Sequence, residues 1–154
     1  MSKPHKLTIA QIIPSLNAGG AERAVVDIAA ATVTAGHRAI VVSKGGYYQA
    51  GLQAKQAKFI KRNVDTKNPL LLILNASGPD ALIKPEGVDI IHARSRAPAW
   101  SAYLAALMTA TPFVTTFHAA YKGNLFLKKM YNGVMAKGRR IIAISEFIAE
   151  HIRT

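Results

Sequence analysis

The chain has 154 residues, of which 50% are apolar and 18% are charged, a composition typical of a folded globular domain. It contains no cysteine, which excludes a disulfide framework and a thiolate metal site and fits a reducing compartment. The formal net charge of +12 predicts attraction to phosphates of nucleic acids, anionic lipids or sugar nucleotides, although a basic surface can also serve solubility alone.

The sequence carries no signal for secretion or for crossing a membrane. Residues 1–7 are short and polar and lack the apolar core of a signal peptide. The longest apolar run, residues 70–74, is far too short to cross a bilayer. We therefore expect a cytoplasmic protein that lies at most peripherally at the inner face of the membrane.

Short apolar runs alternate with helical patterns along the chain. Strands are predicted at residues 7–13, 38–43, 59–60, 88–93, 113–117 and 140–144. Helices are predicted at residues 21–33, 49–55, 68–84 with a break at 77–79, 97–109, 124–137, and from the N-cap Ser145 onward. This rhythm predicts an α/β fold, a Rossmann-like three-layer domain over residues 1–154 with a parallel sheet of about six strands.

Ligands of such sheets bind beyond the carboxyl ends of the strands, so the segments that follow each strand are the candidate site. The first of these contains Gly19 and Gly20 and opens onto a helix. Adjacent glycines let the backbone approach a ligand, and free N–H groups at a helix start suit a pyrophosphate or a carboxylate. The pair matches neither a dinucleotide fingerprint nor a Walker motif, and most such pairs are only tight turns.

Longer strings are far more specific than the glycine pair. They are IPSLNAGGAER at 13–23, GH at 36–37, VDIIHARS at 88–95, TTFH at 115–118 and IAISEF at 142–147. In this order they cover nearly the whole chain, and they resemble the N-terminal half of the family-four, retaining glycosyltransferases of the GT-B fold.

The resemblance implies an enzyme of two Rossmann-like domains that face each other across a cleft. The N-terminal domain would hold the acceptor, and the C-terminal domain the nucleotide-sugar donor, with glycosyl transfer proceeding with retention and without a metal or cofactor. The loop of Asn17, Gly19 and Gly20 would bind substrate by reaching the donor pyrophosphate, and His118, the candidate catalytic residue, would lie beside the transferred sugar.

The sequence departs from the family pattern in two places. The C-terminal donor-binding domain, with its paired-glutamate motif and basic phosphate-binding residues, is absent, and the last helix has no glycine cap. We therefore expect a piece of a longer protein that is inactive alone and whose partner is the missing domain. Residues 77–79 (Ser-Gly-Pro) also break a helix that is continuous in the family.

Basic and polar residues after the strands are further candidates for binding substrate. Arg94 and Arg96 flank Ser95 and could clamp a phosphate or an acidic acceptor, or they could form an exposed, solvated pair. Lys122 and Ser145 follow the fifth and sixth strands and complete the set of substrate-binding candidates.

Two residues near these candidates have simpler interpretations. His92 lies within a strand, and we expect it to pack in the core rather than to bind substrate. Glu22 lies in the first turn of a helix, where a carboxylate stabilises the helix dipole.

The segment 122–140 is basic and amphipathic. The apolar residues fall on one side at helical spacing: Phe126, Leu127, Met130, Tyr131 and Val134. Lys128 and Lys129 fall on the other side. Such a helix can lie on an anionic membrane, or its apolar side can pack in the core, which we favour and which is compatible with docking of the basic flank. Since enzymes that resemble this chain often glycosylate lipid-linked acceptors, an acceptor of the lipopolysaccharide or cell-envelope glycan type is a further hypothesis.

Other classes of function have less support. A free-standing binding module for a sugar nucleotide or glycan, without turnover, is the main alternative. Nucleic-acid binding rests on charge alone, since no reading motif is present, and we expect no nucleic-acid partner. Neither a carboxylate pair for glycoside hydrolysis nor a cluster of metal ligands is apparent.

Overall fold

The computed structural model describes residues 5–66, 68, 71, 86–121 and 126–153. Within them one parallel sheet has the strand order β3-β2-β1-β4-β5-β6. Its strands are β1 (Thr8–Ile12), β2 (Arg38–Ser43), β3 (Lys58–Lys61), β4 (Ile90–Ala93), β5 (Phe113–Phe117) and β6 (Arg140–Ala143). All six predicted strands are confirmed, and differences in their bounds are at most two residues.

The described helices lie between the strands as predicted. They are α1 (Gly20–Thr34), α2 (Gln49–Ala54), α3 (Arg96–Thr109), α4 (Phe126–Asn132) with a following 3-10 turn (Gly133–Lys137), and α5 (Glu146–Arg153). The helix predicted at residues 68–84 and its break at 77–79 lie outside the described residues, apart from residues 68 and 71.

Alternate residues of the strands pack on opposite faces of the sheet, which gives the three layers. In β2, Ile40 and Val42 belong to the apolar cluster that includes α3, and Ala39 and Val41 to the cluster that includes α1 and α2. Strands buried on both faces read as continuous apolar runs, which is why the sequence predicts them well. The predicted Rossmann-like α/β fold is confirmed.

Glycine fixes the end of α1. Gly36 has a φ of 85°, in the left-handed region where a side chain is strained. Its N–H donates to the carbonyl of Val33, and that of His37 donates to the carbonyl of Thr32, the pair of bonds that defines a Schellman cap. The chain therefore leaves α1 sharply and enters β2 two residues later.

The segment predicted as one helix over residues 124–137 differs from the expectation. Of its described part, α4 covers seven residues and the rest is a 3-10 turn. Only Val134 and Met135 of the turn are buried, whereas Phe126, Leu127 and Met130 of α4 are exposed. The predicted core packing is therefore confirmed for Val134 and wrong for Phe126, Leu127 and Met130.

No helix in the described part of the chain combines the length and apolar character needed to cross a membrane.

Candidate functional site

The order of the sheet reverses between β1 and β4, and ligands of open α/β sheets bind outside this switch point. The pairing of the two strands continues one residue beyond β4, where the amide of Arg94 donates to the carbonyl of Ile12 at 3.1 Å. The segments after β1, β4 and β5 thus meet at one edge, which we call the carboxyl edge.

The loop after β1 is held by the turn after β2. The amide of Leu16 donates to the carbonyl of Gly45 at 3.0 Å, and the amide of Tyr48 donates to the carbonyl of Leu16 at 2.9 Å. A Cβ at Gly46 would lie 2.6 Å from the carbonyl carbon of Leu16, so only glycine allows this approach. Asn17 is exposed on this loop.

The glycine pair begins α1. Gly19 is the N-cap, and its carbonyl accepts the amide of Arg23 at 3.0 Å. The carboxylate of Glu22 folds back so closely that a Cβ at Gly19 would lie 2.2 Å from its Oε2, in agreement with its predicted place at the helix start. Gly20 is exposed, and open space lies where its Cβ would be.

Arg94 lies at the centre of the switch point with only 4% of its surface exposed. Its Nε donates to Oε1 of Gln11 at 2.9 Å, and Nη2 has no hydrogen-bond partner among the described residues. None of the ion pairs between described residues includes Arg94. Burial lowers the pKa of Arg94 to about 10, so the side chain is still a cation at neutral pH.

His118 directly follows β5 and is half-buried beside Arg94. Nη1 of Arg94 lies 3.5 Å from Nε2 of His118. Burial and the charge of Arg94 lower the pKa of His118, and the carboxylate of Glu22 acts in the opposite direction. The neutral form of the candidate catalytic histidine is thus favoured by its surroundings.

His92 is buried in β4, as expected for a core residue. Its Nε2 lies 2.7 Å from Oγ1 of Thr116 in the neighbouring strand. Burial, with the charges of Arg94 and His118, lowers the pKa of His92 to about 3. His92 therefore stays neutral inside the sheet, where it joins β4 to β5.

A cleft of about 560 Å³ opens at Ser95 and Arg96, which directly follow Arg94 in the chain. Its walls come from the segment after β3, the start of α3, and α4. The lining residues are Asp65, Ser95, Arg96, Ala97, Lys128, Tyr131 and Asn132. Polar and aromatic side chains together can bind the hydroxyl groups and the apolar face of a sugar ring.

Arg94 and Arg96 contact different residues. Nη1 of Arg96 donates to Oδ1 of Asn132 at 2.8 Å, and its guanidinium lies 4.3 Å from the ring centroid of Tyr121. Arg96 therefore faces the cleft, whereas Arg94 faces Gln11 and His118. The alternative of an exposed, solvated pair is wrong for the buried Arg94.

The remaining candidates lie apart from this cluster. Ser95 lines the cleft, and Ser145 is exposed at the start of α5, where its Oγ accepts the amide of Ile148 at 3.3 Å. The predicted N-cap is confirmed. Oγ of Ser145 is thereby already engaged by a backbone amide of its own helix. Lys122 lies outside the described residues.

Several residues of the site were missed in the sequence. Gln11 is a polar residue between the apolar Ala10 and Ile12 of β1, and this signal could have identified it as a partner for a buried charge. Asp65 and Asn132 gave no signal, because folding alone brings them to the cleft. Tyr131 was assigned to the apolar side of its helix and lines the cleft instead. In the described part of the chain, no three His, Cys, Asp or Glu side chains group as metal ligands do.

Comparison with known proteins agrees with this geometry. Residues 18–154 match the family described as Glycosyltransferase Family 4. The chain is similar to the crystal structure of a glycosyltransferase from Rickettsia africae ESF-5, with a TM-score of 0.83 and 40% identity. The match covers 97% of this chain and 39% of that chain, and no curated protein matches. The chain belongs to glycosyltransferase family 4.

Proposed function

We propose that this chain is the acceptor-binding half of a glycosyltransferase. The enzyme transfers a sugar, as a hexosyltransferase, from a nucleotide-sugar donor to a glycan or lipid-linked acceptor of the cell-envelope polysaccharide or lipopolysaccharide type, with retention and without a metal. It acts in the cytoplasm, at the inner face of the membrane. This chain alone has no turnover.

The single observation that carries the proposal is the position of α4. One side of this helix lines the cleft with Lys128, Tyr131 and Asn132. Phe126, Leu127 and Met130 are exposed on the same seven-residue helix. An acceptor with a polar head and a lipid tail needs a polar cleft next to an apolar surface, and α4 connects the two.

The apolar and basic residues of α4 define a surface suited to an anionic bilayer. This α4 surface consists of Phe126, Leu127, Met130, Lys128 and Lys129, all of them exposed. Exposed apolar side chains that form a contiguous patch mark interaction sites. Lys128 and Lys129 on the rest of the helix add attraction to anionic head groups, which favours an anionic lipid over a neutral one.

The donor belongs to the other half of the enzyme. Since this chain spans 39% of the similar Rickettsia africae chain, there is ample length in such an enzyme for a donor-binding domain. The open start of α1 at Gly20 and the half-buried His118 are the groups of this half that face the donor. Asn17, Ser95, Lys122 and Ser145 are proposed to contact substrate around them.

The proposal is tested by vesicle binding of the purified chain. Phosphatidylcholine vesicles with and without phosphatidylglycerol are titrated by calorimetry at low and high salt, together with a panel of nucleotide sugars. We expect binding to the anionic vesicles that weakens with salt, and none to the nucleotide sugars. Tight nucleotide-sugar binding by this chain would contradict the division of labour and favour a free-standing module.

A matched pair of double variants locates the binding surface. Leu127→Ser with Met130→Ser removes side chains of α4 that are 70% and 56% exposed. Leu107→Ser with Met108→Ser removes side chains of α3 that are 61% and 55% exposed. We expect the α4 variant to lose about tenfold or more in vesicle affinity and the α3 variant to bind normally. Equal losses in both would contradict docking through α4.

A further inference from the structure

We propose that Arg94 is a positioning residue that holds His118 as a neutral imidazole with its proton on Nδ1. In this state His118 serves the substrate as a hydrogen-bond donor and not as a base. The inference rests on the proposed function, which places His118 at the substrate.

The argument begins with the contact between the two side chains. Nη1 of Arg94 lies 3.5 Å from Nε2 of His118. A guanidinium has only N–H donors and no acceptor, so the imidazole nitrogen that faces it has to offer a lone pair. The hydrogen-bond network thereby assigns the unprotonated nitrogen as Nε2, and the proton of the neutral ring lies on Nδ1.

The guanidinium has little freedom to turn away from His118. Its Nε donates to Oε1 of Gln11 at 2.9 Å, and Nε2 of Gln11 donates to the carbonyl of Val25 at 3.0 Å. Both bonds are buried, and they join β4 through β1 to α1. These two buried bonds restrain the guanidinium at its Nε, so the orientation of Arg94 is set by the sheet and by α1.

The charges around His118 favour the same state. A second proton would place an N–H of His118 against the N–H groups of Arg94, at a partly buried position where like charges repel strongly. His92 of β4 stays neutral and adds no charge. Glu22 of α1 favours the proton, but burial and Arg94 outweigh it, and the pKa of His118 is lowered.

The consequence for chemistry is a fixed role. The Nδ1–H of a neutral ring donates to an oxygen that carries a lone pair, such as a sugar hydroxyl or a phosphate oxygen. The opposite nitrogen is covered by Arg94 and does not accept a proton from the acceptor hydroxyl. Because burial and Arg94 lower the pKa of His118, the neutral form that makes this contribution is favoured near neutral pH.

The test is nitrogen NMR of the histidine rings of this chain across a pH series, with His118→Gln used to assign the resonance. We expect Nδ1 of His118 to carry the proton at neutral pH in the unsubstituted chain. Arg94→Gln should raise the pKa of His118 towards its ordinary value of about 6.5 and mix the two tautomers. Arg94→Lys should preserve both properties, because an ammonium is also a cation with donors only.

Arg96→Gln is the matched control, since Arg96 loses the same charge two residues away and contacts Asn132 instead. It should leave the titration of His118 unchanged. A proton on Nε2 in the unsubstituted chain, or an Arg94→Gln spectrum that titrates as before, would overturn the proposal. If Arg94→Gln does not fold, the unsubstituted chain and Arg94→Lys still decide. No substrate is used, so this result is separate from the vesicle and nucleotide-sugar results.

Discussion

The switch point buries polar and charged side chains, whereas α4 exposes apolar ones. At the switch point Gln11, His92 and Arg94 are buried, and one of them is a cation without a carboxylate partner among the described residues. On α4, Phe126 and Leu127 are exposed. Folding alone favours the reverse in both places, because burial of a charge costs free energy and burial of an apolar group contributes it.

The two regions also differ in what fixes their geometry. The switch point depends on the rigidity of the sheet, since hydrogen bonds from three elements hold Arg94 and His118 in one geometry. The α4 surface is defined by its exposure to solvent, since none of the residues of this helix is buried. Substitutions should therefore change stability at the switch point and binding at α4.

The largest expected difference in stability is between a leucine of the core and a leucine of α4. Leu52 in α2 is 0% exposed, and Leu127 in α4 is 70% exposed. We expect Leu52→Ala to lower the free energy of unfolding by about 2–5 kcal/mol, because it removes buried methyl groups and leaves a cavity. Leu127→Ala should change it by less than about 0.5 kcal/mol. Denaturant unfolding of both variants measures the difference, and comparable losses would mean that α4 packs in the core.

The buried histidine of the switch point predicts a dependence of stability on pH. The pKa of His92 is lowered from 6.5 to about 3 on folding, so between these values the unfolded chain binds a proton that the folded chain does not. Stability is present above the unfolded pKa and falls by about 1.4 kcal/mol for each pH unit as the pH drops through this window.

Denaturant unfolding at a series of pH values measures this loss. We expect His92→Gln to have a shallower dependence over the same window, since glutamine does not titrate. Contributions of the carboxylates are common to both proteins and cancel in the comparison. Parallel curves would mean that His92 takes up its proton in the folded state.

The smallest expected effect concerns the lysines of α4. Lys128→Gln and Lys129→Gln should each weaken binding to anionic vesicles about fivefold, since a lysine near such a surface contributes about 1 kcal/mol. Each should also reduce the dependence of binding on salt. Lys55→Gln, at an exposed position after α2, is the control. An equal loss of vesicle affinity with Lys55→Gln would mean that the general attraction of a basic protein, and not the α4 surface, accounts for binding.

The fold and part of the candidate site could be predicted from local patterns. Apolar runs identified β2 and β5 to the residue, and Ser145 was identified as the cap of α5. The interpretation of His92 as a core residue is confirmed. For the helix predicted at 124–137, the predicted burial was right for Val134 and wrong for Phe126 and Leu127. Periodicity shows that such residues share a side, but it does not show whether another element covers that side.

The sequence by itself determined the strand–helix order, the glycine-rich start of α1 and the family of the protein, because these depend on short-range backbone preferences and on contiguous strings. Only the tertiary structure decided that Gln11, Arg94 and His118 share one cluster and that Asn132 supports Arg96. Those contacts join residues from separate elements. Their neighbours are set by the order of strands in the sheet, which brings the ends of β1, β4 and β5 to one edge.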